Sequence, residues 1–493
     1  MTHQMKKVVI IGGGITGLTT AFYLQQQTHG KIDISLIEAS PSLGGKISSL
    51  HEKGFVIEGG PDSFIAKKSS TLDLCRTLGL DDQVMGSKSA QRPTYVWSGG
   101  KLHPMPEGMM LMAPTMVLPF LRSKLISWPG KMRMGMEFFI PSSGKIDDES
   151  LASFVRRRLG SELLDKVAAP LMAGIYAADP ETLSLQSTFP LFPEMEHKYG
   201  GLLRGMIRQK RQQKQLHAKQ GPQPKRSAMF MTLRGGLHQL VDALLTHLHP
   251  ESLLLNRRVT TIGIEKHRYT VTLSDGSNIL ADDVVLATPA YVTADIVEEM
   301  DPALASQLRA IRYVSTATVS LGFKRADITH PLDGYGFVVP FSAGRKITAC
   351  TWSSQKFDNR APDDCVLIRV FVGGARAENL AEQDEAALLQ MAREELRITM
   401  GITAEPILAK AYRWSKSTPQ YEVGHQSRIV ELERTVARHP GLHLAGAAFH
   451  GAGIPDCIQS GVKVVQTIAD SCRTNSNETF DCDTVPSSSV CTR

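Results

Sequence analysis

The feature that most constrains the fold is a glycine-rich turn near the N-terminus. It follows the apolar run Val8–Ile11, which predicts a buried strand, and precedes helix-forming residues that continue to Gln27. Glycines at three of its positions allow a tight turn, a close approach to a pyrophosphate, and close packing of helix on strand. The helix N-terminus also offers amide hydrogens to phosphates. A dinucleotide-binding βαβ unit is therefore predicted at Gly12-Gly13-Gly14-Ile15-Thr16-Gly17.

Three later features indicate which dinucleotide binds. Glu38 ends a second predicted strand, at the spacing of about 20 residues that places a carboxylate on ribose hydroxyls. Two further glycine pairs, Gly44-Gly45 and Gly59-Gly60, let the backbone pass close to a ligand longer than half of NAD. A predicted strand, loop and helix over 444–469 can close the site, with Asp456 as the helix N-cap. This combination favours FAD.

Composition and negative searches limit the other possibilities. The 493 residues, of which 42% are hydrophobic, predict two or three globular domains. Seven scattered cysteines without a C-x-x-C pair indicate a reducing compartment, and no apolar run reaches the length of a membrane span. A P-loop, a G-x-S-x-G turn and a metal-binding histidine pattern are all missing from the sequence. We therefore predict a cytoplasmic protein without a metal site or a nucleic-acid partner.

Together these motifs resemble the porphyrinogen oxidase family of FAD enzymes, a branch of the amine-oxidase-like flavoproteins. The resemblance extends from about residue 6 to about residue 471 and is strongest to the HemY-type coproporphyrinogen III oxidases. Besides the first glycine turn and Glu38, the matching segments are Leu43-Gly44-Gly45-Lys46, Glu58–Phe64, Ala173–Pro180, Leu233–Leu237, Trp414 with Pro419-Gln420-Tyr421, and Gly453–Asp456.

The resemblance implies an activity. Coproporphyrinogen III would be oxidised to coproporphyrin III in haem biosynthesis, a six-electron oxidation by three O2 that gives H2O2. Hydride transfer from a bridging methylene to the flavin would be followed by tautomerisation. Protoporphyrinogen IX oxidation remains an alternative, as does the reaction of another flavin amine oxidase. No general base is evident, so the catalytic residues are unknown and the chemistry is expected to centre on the flavin.

The resemblance also implies roles for individual residues. The first glycine turn would hold the pyrophosphate, Glu38 the ribose and the Val259 backbone the adenine, while Gly60–Ser63 would follow the ribityl chain and the ring. Ala173, Gly174 and Ile175 would line the substrate cavity, with Lys68 and Arg92 as partners for substrate carboxylates. The complete predicted FAD site is Gly12, Gly13, Gly14, Ile15, Thr16, Gly17, Glu38, Ala39, Gly45, Lys46, Gly60, Pro61, Asp62, Ser63, Val259, Trp414, Ile454, Pro455 and Asp456.

Two stretches have alternative interpretations. Residues 105–141 are rich in Met, Leu and Pro with interleaved Lys and Arg, and they either form a lid over the substrate, which we favour, or contact a membrane peripherally. Residues 197–241 contain ten Lys or Arg and no acidic residue. Their central part, 209–225, is predicted to be a mobile solvated loop, with docking to another haem-pathway enzyme as the alternative.

The predicted fold class is α/β. A discontinuous Rossmann-like FAD-binding domain would comprise residues 1–66, 227–295 and 430–471. A mixed-sheet substrate domain would comprise 67–110, 186–226 and 296–429, with an inserted helical subdomain over 111–185. A helix is predicted over 147–170, and the tail 472–493 is expected to be disordered. The oligomeric state is not predicted.

Overall fold

The computed structural model describes residues 5–28, 31–88, 92–106, 109–110, 113–114, 117–144, 148–220 and 228–475. The strands of this part of the chain form six sheets. In chain order they are Lys6–Ile11 (β1), Ile32–Ile37 (β2), Ser49–Glu52 (β3), Phe55–Glu58 (β4), Phe64–Ile65 (β5), Val84–Gly86 (β6), Thr94–Ser98 (β7), Lys101–Pro104 (β8), Met109–Met110 (β9), Ala113–Pro114 (β10), Phe230–Leu233 (β11), Leu253–Leu254 (β12), Val259–Glu265 (β13), Arg268–Leu273 (β14), Asn278–Ala281 (β15), Asp283–Leu286 (β16), Tyr313–Lys324 (β17), Gly336–Val338 (β18), Ala349–Trp352 (β19), Cys365–Gly373 (β20), Leu408–Pro419 (β21) and Leu442–Leu444 (β22).

The α-helices lie between these strands and at the C-terminal end. Their bounds are Ile15–Thr28 (α1), Ser70–Thr77 (α2), Val117–Arg122 (α3), Trp128–Gly135 (α4), Leu151–Arg158 (α5), Ser161–Leu163 (α6), Ala169–Tyr176 (α7), Leu185–Thr188 (α8), Leu191–Tyr199 (α9), Leu202–Gln220 (α10), His238–His247 (α11), Ala290–Val297 (α12), Pro302–Arg309 (α13), Ser353–Lys356 (α14), Glu378–Ala381 (α15), Glu385–Met400 (α16), His425–Val436 (α17) and Ile454–Asn475 (α18). Within the described residues, none of these helices is long and apolar enough to cross a membrane.

A parallel sheet organises both ends of the chain. Its strand order is β12-β2-β1-β16-β22, and all four neighbouring pairs are parallel. Val8 and Ile10 pack in a core with α1 and α18, whereas Val9 and Ile11 pack in a second core with β13, β14 and α12. Because β1 is covered on both faces, its sequence is continuously apolar rather than alternating.

The largest sheet has seven strands in the order β21-β17-β20-β19-β18-β7-β8. Its neighbouring strands are antiparallel except for β18 and β7. Leu388 and Leu396 of α16 pack in one core with this sheet, while Val338 and Ala349 pack in another core with the helices between β10 and β11. The parallel and mixed sheets, with their covering helices, confirm the predicted α/β fold class.

Two predictions of secondary structure, one of a helix and one of a loop, were wrong. The single helix expected over 147–170 is divided, because α5 ends at Arg158 and Gly160 has a φ of +98°, which glycine adopts without strain. The chain then continues through the π-helical turn Leu164–Ala168 into α7. The loop expected over 209–225 is helical as far as Gln220, since Gln, Lys and Arg favour helix and neither Gly nor Pro occurs over 206–220.

Some predictions fall at the edge of the described residues. Residues 221–225 of the expected basic loop lie outside them. Helix α18 extends to Asn475, into the segment predicted to be disordered, and the rest of that segment also lies outside the described residues.

A buried ion network lies among the helices between β10 and β11. The side chains of Arg158 and Glu137 are both 0% exposed and form an ion pair, and Glu196 lies 3.5 Å from Arg158. Glu137 also accepts hydrogen bonds from the Leu202 and Leu203 amides at the start of α10. Each guanidinium nitrogen of Arg158 has an acceptor, provided by Glu137, Glu196 and the carbonyls of Ile140, Pro141 and Gly200. The network therefore links α5, α9 and α10.

Candidate active site

The first glycine turn joins β1 to α1. Gly12 has a φ of +110°, and a Cβ on it would lie 3.0 Å from the Ala287 backbone. A Cβ on Gly17 would lie 2.0 Å from the Gly12 carbonyl oxygen, so α1 packs directly on the turn. Nothing lies within 4 Å of a Cβ on Gly14. The turn therefore has a closed base and an open face at the N-terminus of α1, where a pyrophosphate is expected.

Glu38 lies directly after β2, next to the turn. Its Oε2 accepts a hydrogen bond from the Gly13 amide at 2.7 Å, and its Oε1 accepts one from the Ser40 amide at 2.8 Å. The carboxylate is only half-buried, so each oxygen keeps a lone pair for a further donor. It can therefore brace the turn and accept ribose hydroxyls together.

Two other predicted contacts adjoin Glu38. Ala39 follows it and is exposed. The backbone carbonyl of Glu38 accepts a hydrogen bond from the Arg257 amide at 3.0 Å, which brings the start of β13 alongside. Val259, the first residue of β13, is buried and pairs with Leu273. The structure thus brings Ala39, Val259 and Glu38 to one region.

The second glycine segment crosses the first. A Cβ on Gly45 would lie 3.2 Å from the Gly14 Cα, so the two backbones touch. Lys46 follows, and its Nζ donates a hydrogen bond to the Ser417 carbonyl. Lys46 is accessible to solvent, yet burial by the surrounding protein lowers the pKa of its ammonium. Lys46 therefore lines a cleft inside the protein and does not lie on the outer surface.

The third glycine segment, Gly59-Gly60-Pro61-Asp62-Ser63, packs against the second. A Cβ on Gly60 would lie 1.8 Å from the Lys46 carbonyl oxygen and 3.6 Å from Cζ2 of Trp414. Trp414 Nε1 donates a hydrogen bond to the Gly59 carbonyl at 2.9 Å. The structure therefore brings Lys46, Gly60 and Trp414 together on one side of the cleft.

Asp62, within this segment, carries a negative charge that its neighbours hold in place. It forms an ion pair with Lys356 at 2.9 Å and accepts a hydrogen bond from Ser63 Oγ at 2.7 Å. Burial acts to raise the pKa of Asp62, but Lys356 and Arg369 outweigh it and hold that pKa below its ordinary value. Asp62 is therefore ionised at neutral pH and serves as an acceptor.

The N-terminus of α18 closes another side of the cleft. The helix begins at Ile454, so Asp456 is its third residue and not the N-cap that was predicted. The Pro455 carbonyl accepts a hydrogen bond from Ser70 Oγ at 2.7 Å. The Asp456 carboxylate, whose charge in the first turn is favourable to the helix dipole, forms an ion pair with Lys68 at 2.5 Å. Lys68, predicted as a partner for substrate carboxylates, thus already has an anionic partner.

The predicted substrate-lining residues lie at the end of α7. Ala173 is buried, whereas Gly174 and Ile175 are exposed, the latter by 55%. A Cβ on Gly174 would lie 3.9 Å from Ala349 and Val338 of the seven-stranded sheet. The exposed end of α7 therefore faces this sheet at van der Waals distance.

Tyr176 connects α7 to the N-terminus of α18. Burial raises the pKa of Tyr176 to about 12, and the nearby Asp456 carboxylate adds to the increase. The Tyr176 carbonyl accepts a hydrogen bond from Gln420, just after β21, at 3.3 Å. The predicted substrate residues on α7 therefore adjoin the predicted flavin residues near the Asp456–Lys68 ion pair.

Arg92 lies beside α14, away from this ion pair. Its Nη1 donates a hydrogen bond to Gln355 Oε1 at 2.8 Å. Gln355 precedes Lys356, the partner of Asp62. The structure therefore associates Arg92 with the third glycine segment through Gln355 and Lys356.

Sequence reasoning missed residues that support the third glycine segment from behind. Thr318 and Arg369 both donate hydrogen bonds to the Gly59 carbonyl, across more than 250 positions of sequence. No local motif marks them. One available signal was the arginine inside the apolar run of β20, because a charge in a fully buried strand is unusual.

The chemistry of the cleft fits FAD. The open face at Gly14 and the helix N-terminus suit a pyrophosphate, and the Glu38 carboxylate suits a ribose. The glycine segments leave backbone without side chains between Gly14 and Trp414, as a dinucleotide longer than half of NAD requires. Among the described residues, no group of three or more His, Cys, Asp or Glu side chains could hold a metal ion.

Sequence comparisons identify relatives over nearly the whole chain. The flavin containing amine oxidoreductase family matches residues 15–469. A coproporphyrinogen III oxidase from Bacillus subtilis (strain 168) is 38% identical over 471 residues, which cover 94% of this chain and 98% of the relative. The coproporphyrinogen III oxidase of Staphylococcus aureus is 35% identical, covering 92% and 97%, and the protoporphyrinogen oxidase of Homo sapiens is 30% identical, also covering 92% and 97%.

Solved structures agree with this assignment. The crystal structure of a provisionally assigned protoporphyrinogen oxidase from Exiguobacterium sp. 255-15 has a TM-score of 0.83 and 32% identity, covering 95% of this chain and 99% of that one. Reduced UDP-galactopyranose mutase, at 15% identity and a TM-score of 0.70, shares the fold, covering 95% of this chain and 94% of that one.

These matches establish the cofactor and the class of chemistry. The predicted FAD cofactor and oxidoreductase activity are confirmed by a family defined by its flavin. The glycine turn, the Glu38 carboxylate and the α18 N-terminus are the parts of this chain that fit that cofactor. The chain belongs to the flavin containing amine oxidoreductase family.

Proposed function

We propose that this chain oxidises coproporphyrinogen III to coproporphyrin III, consuming three O2 and producing three H2O2. The observation that carries the proposal is the 38% identity to a coproporphyrinogen III oxidase over 94% of the chain. Protoporphyrinogen IX is the second candidate substrate, supported by the human relative at 30% identity. The two substrates differ in charge, because two propionates of the first are vinyl groups in the second.

The protein residues position the substrate, and FAD when bound supplies a two-electron acceptor that O2 regenerates. Ile175 and Gly174 offer an apolar, partly open surface at the end of α7 for the face of a macrocycle. Lys68 lies at the border between this surface and the flavin cleft, paired with Asp456. A substrate propionate can exchange with Asp456 as the partner of the Lys68 ammonium.

Holding a methylene carbon at a fixed position is the main task of these residues. Positioning converts a bimolecular encounter into a step within one complex, and it is the main contribution expected here because the sequence marks no obvious general base. The exclusion of water by the apolar end of α7 protects the reacting carbon. Proton movement is assigned to the pyrrole nitrogens of the substrate.

A comparison of substrates tests the proposal. Purified, FAD-loaded protein is expected to form fluorescent porphyrin from coproporphyrinogen III with a higher kcat/KM than from protoporphyrinogen IX, with three H2O2 per porphyrin. A higher kcat/KM for protoporphyrinogen IX would favour the second candidate. Oxygen consumption with simple amines, without oxidation of either porphyrinogen, would contradict both.

Lys68→Met tests the role of the ammonium in substrate binding. Because Lys68 is 53% exposed, its loss is expected to raise KM for coproporphyrinogen III by roughly fivefold. The variant Lys68→Arg keeps the charge and serves as the matched control, with KM near that of the wild type. Loss of all turnover in Lys68→Met with FAD still bound would contradict a role confined to binding.

Membrane contact is a further part of the proposal. Trp128, Met132 and Phe139 are 67%, 72% and 80% exposed, and the Lys131 ammonium lies 4.8 Å from the centre of the Trp128 ring. An exposed apolar surface with basic neighbours is typical of proteins that bind anionic lipid. Cosedimentation with phosphatidylglycerol vesicles, reduced in Trp128→Ser/Phe139→Ser, would support this contact, and absence of cosedimentation would contradict it.

The basic helix α10 offers a surface for an acidic protein of the haem pathway. Arg204, Arg208 and Arg211 are exposed on it, and Arg204 lies over the Phe138 ring at 4.7 Å. Replacement of Arg208 and Arg211 by Gln is expected to slow coupled haem synthesis while leaving porphyrinogen oxidation by the isolated protein unchanged. Equal coupled rates for both proteins would contradict docking through α10.

A further inference from the structure

The carbonyl of Gly59, behind the flavin cleft, accepts an unusual number of hydrogen bonds. Thr318 Oγ1 and Trp414 Nε1 each donate to it at 2.9 Å, and Arg369 Nη2 donates at 3.2 Å. Arg369 also donates to the next carbonyl, that of Gly60. A carbonyl oxygen has two lone pairs, so three donors on Gly59 hold this peptide unusually firmly.

Arg369 is not fully satisfied by these bonds. It is 2% exposed, and its Nε and Nη1 have no hydrogen-bond partner among the described residues. In the part of the chain that the structure describes, no carboxylate lies within 4 Å of it, and Asp62 and Glu58, which line the same small cavity, act on it only from a greater distance. A buried arginine without a carboxylate partner is costly, which requires an explanation other than stability.

The surrounding charges do not cancel that of Arg369. Asp62 is paired with Lys356, and Glu58 lies 3.7 Å from Arg360. The group therefore contains three cations, Arg369, Lys356 and Arg360, but only two carboxylates, Asp62 and Glu58. Arg369 lines a cavity of about 10 Å³, room for about one water, which could bridge its remaining donors without removing the charge.

Arg360 is the matched contrast. It is equally buried, at 2% exposure. Its donors are bonded to Thr232 Oγ1 at 2.9 Å and to the carbonyls of Leu233 and Arg234 at 3.0 and 3.1 Å. All of these acceptors belong to β11 or the residue after it. Arg360 therefore fixes β11 within the fold and makes no bond to the third glycine segment.

We propose that Arg369 is a positioning residue for FAD, which fixes the Gly59–Gly60 peptide at the cleft and places behind it a positive charge that has no ion-pair partner of its own. Arg369 Nη2 donates to the carbonyls of both Gly59 and Gly60 and thereby fixes the orientation of this peptide. Thr318 and Trp414 also donate to the Gly59 carbonyl. The charge favours the additional negative charge that a flavin acquires on reduction, so it raises the reduction potential. The proposal rests on the proposed function only through the flavin site.

The test uses FAD alone, without porphyrinogen, and compares full-length variants. Arg369→Met is expected to weaken FAD binding by about tenfold, measured by titrating the apoprotein, and to lower the flavin midpoint potential. Arg369→Lys restores the charge without the fork, so its potential should return toward the wild-type value while its Kd remains raised. Arg360→Lys, the control, should lower thermal stability and leave Kd and potential unchanged.

Unchanged Kd and potential in both Arg369 variants would overturn the proposal, as would equal changes in Arg360→Lys. If Arg369→Met does not fold, Thr318→Val carries the test, because it removes one donor to Gly59 at nearly constant volume. About a fivefold weaker FAD binding is then expected, and wild-type binding in Thr318→Val and Arg369→Lys overturns the proposal. Since no porphyrinogen is present, these results do not depend on the identity of the substrate.

Discussion

Two fully buried arginines, Arg158 among the helices and Arg369 in the seven-stranded sheet, have opposite surroundings. Arg158 is paired with Glu137 and every nitrogen of its guanidinium has an acceptor. Within the residues that the structure describes, Arg369 has no ion-pair partner and two of its nitrogens lack acceptors. Both guanidinium charges are buried, but only that of Arg158 has a carboxylate within ion-pair distance.

The difference separates an arginine that maintains a fold from one that serves a ligand. In the network of Arg158, Glu137 and Glu196 each charge is stabilised by an opposite charge, so removal of one side chain leaves another buried without its partner. A buried cation without an ion-pair partner lowers the stability of the fold. Next to a cleft, such a cation can interact favourably with a bound ligand. Four variants can break or sharpen this comparison.

The largest effect is expected for Arg158→Met. Glu137 would remain buried without its cation, so the free energy of unfolding should fall by about 4 kcal/mol. Urea denaturation of the FAD-loaded protein measures this loss. The double variant Glu137→Gln/Arg158→Met is the control and should recover part of it. A loss below about 1 kcal/mol would show that the network is not a structural requirement.

A buried histidine extends the comparison to pH. His425 is 2% exposed and stacks on Tyr421, and no described residue is a hydrogen-bond partner for its Nδ1. Burial, with smaller contributions from Arg428 and His450, lowers the pKa of His425 to about 4. Between about pH 6.5 and pH 4 the unfolded chain therefore binds a proton that the folded chain does not, and acid destabilises the fold.

The expected size of this effect is up to roughly 3 kcal/mol at pH 4. In His425→Gln, which can retain the donor to the Phe449 carbonyl, the stability difference from wild type should shrink as the pH falls through this window. Thermal unfolding at several pH values measures the difference. Parallel pH profiles of the two proteins would mean that His425 titrates normally.

For Arg369→Met the stability change is expected to be small. Replacement of an uncompensated buried charge by an apolar side chain of similar size is often neutral or stabilising, so the apoprotein should stay within about 1 kcal/mol of wild type. Urea denaturation of both apoproteins tests this. A loss as large as that of Arg158→Met would remove the distinction between the two arginines.

The smallest effect is expected on the surface. Arg397 pairs with Glu394 on α16, with side chains 56% and 51% exposed. Water and salt screen such a pair, so Arg397→Gln should leave the melting temperature unchanged within error. A clear decrease in the melting temperature would mean that burial does not explain why the Arg158–Glu137 pair matters more for stability than the Arg397–Glu394 pair.

The flavin side of the molecule was largely predictable from sequence because its determinants are local. A turn of six residues needs particular backbone angles and close approaches, and glycine at positions 12, 13 and 17 allows them. The boundaries of β1, α1 and β2 follow directly from such local patterns.

The supporting residues were not predictable because they act over long separations. Arg369 and Thr318 reach Gly59 only after β17 and β20 have paired, and no spacing in the sequence encodes that approach. The start of α18 was predicted three positions too late, at the residue after Asp456, because the helix start is set by tertiary contacts, including the Ser70 bond to Pro455. The ion pair between Lys68 and Asp456 was missed for the same reason.

The central position of β1 has a consequence for biosynthesis. β1 lies between β2 and β16, and β16 pairs in turn with β22. β1 must therefore wait for β16, which is encoded about 275 positions later, and β16 must wait for β22, which is encoded about 160 positions after it. At translation rates of roughly 5–20 residues per second, that wait lasts tens of seconds. Nascent chains consequently need protection from aggregation until the last segment emerges, and a premature stop before Leu442 leaves the sheet without its final strand.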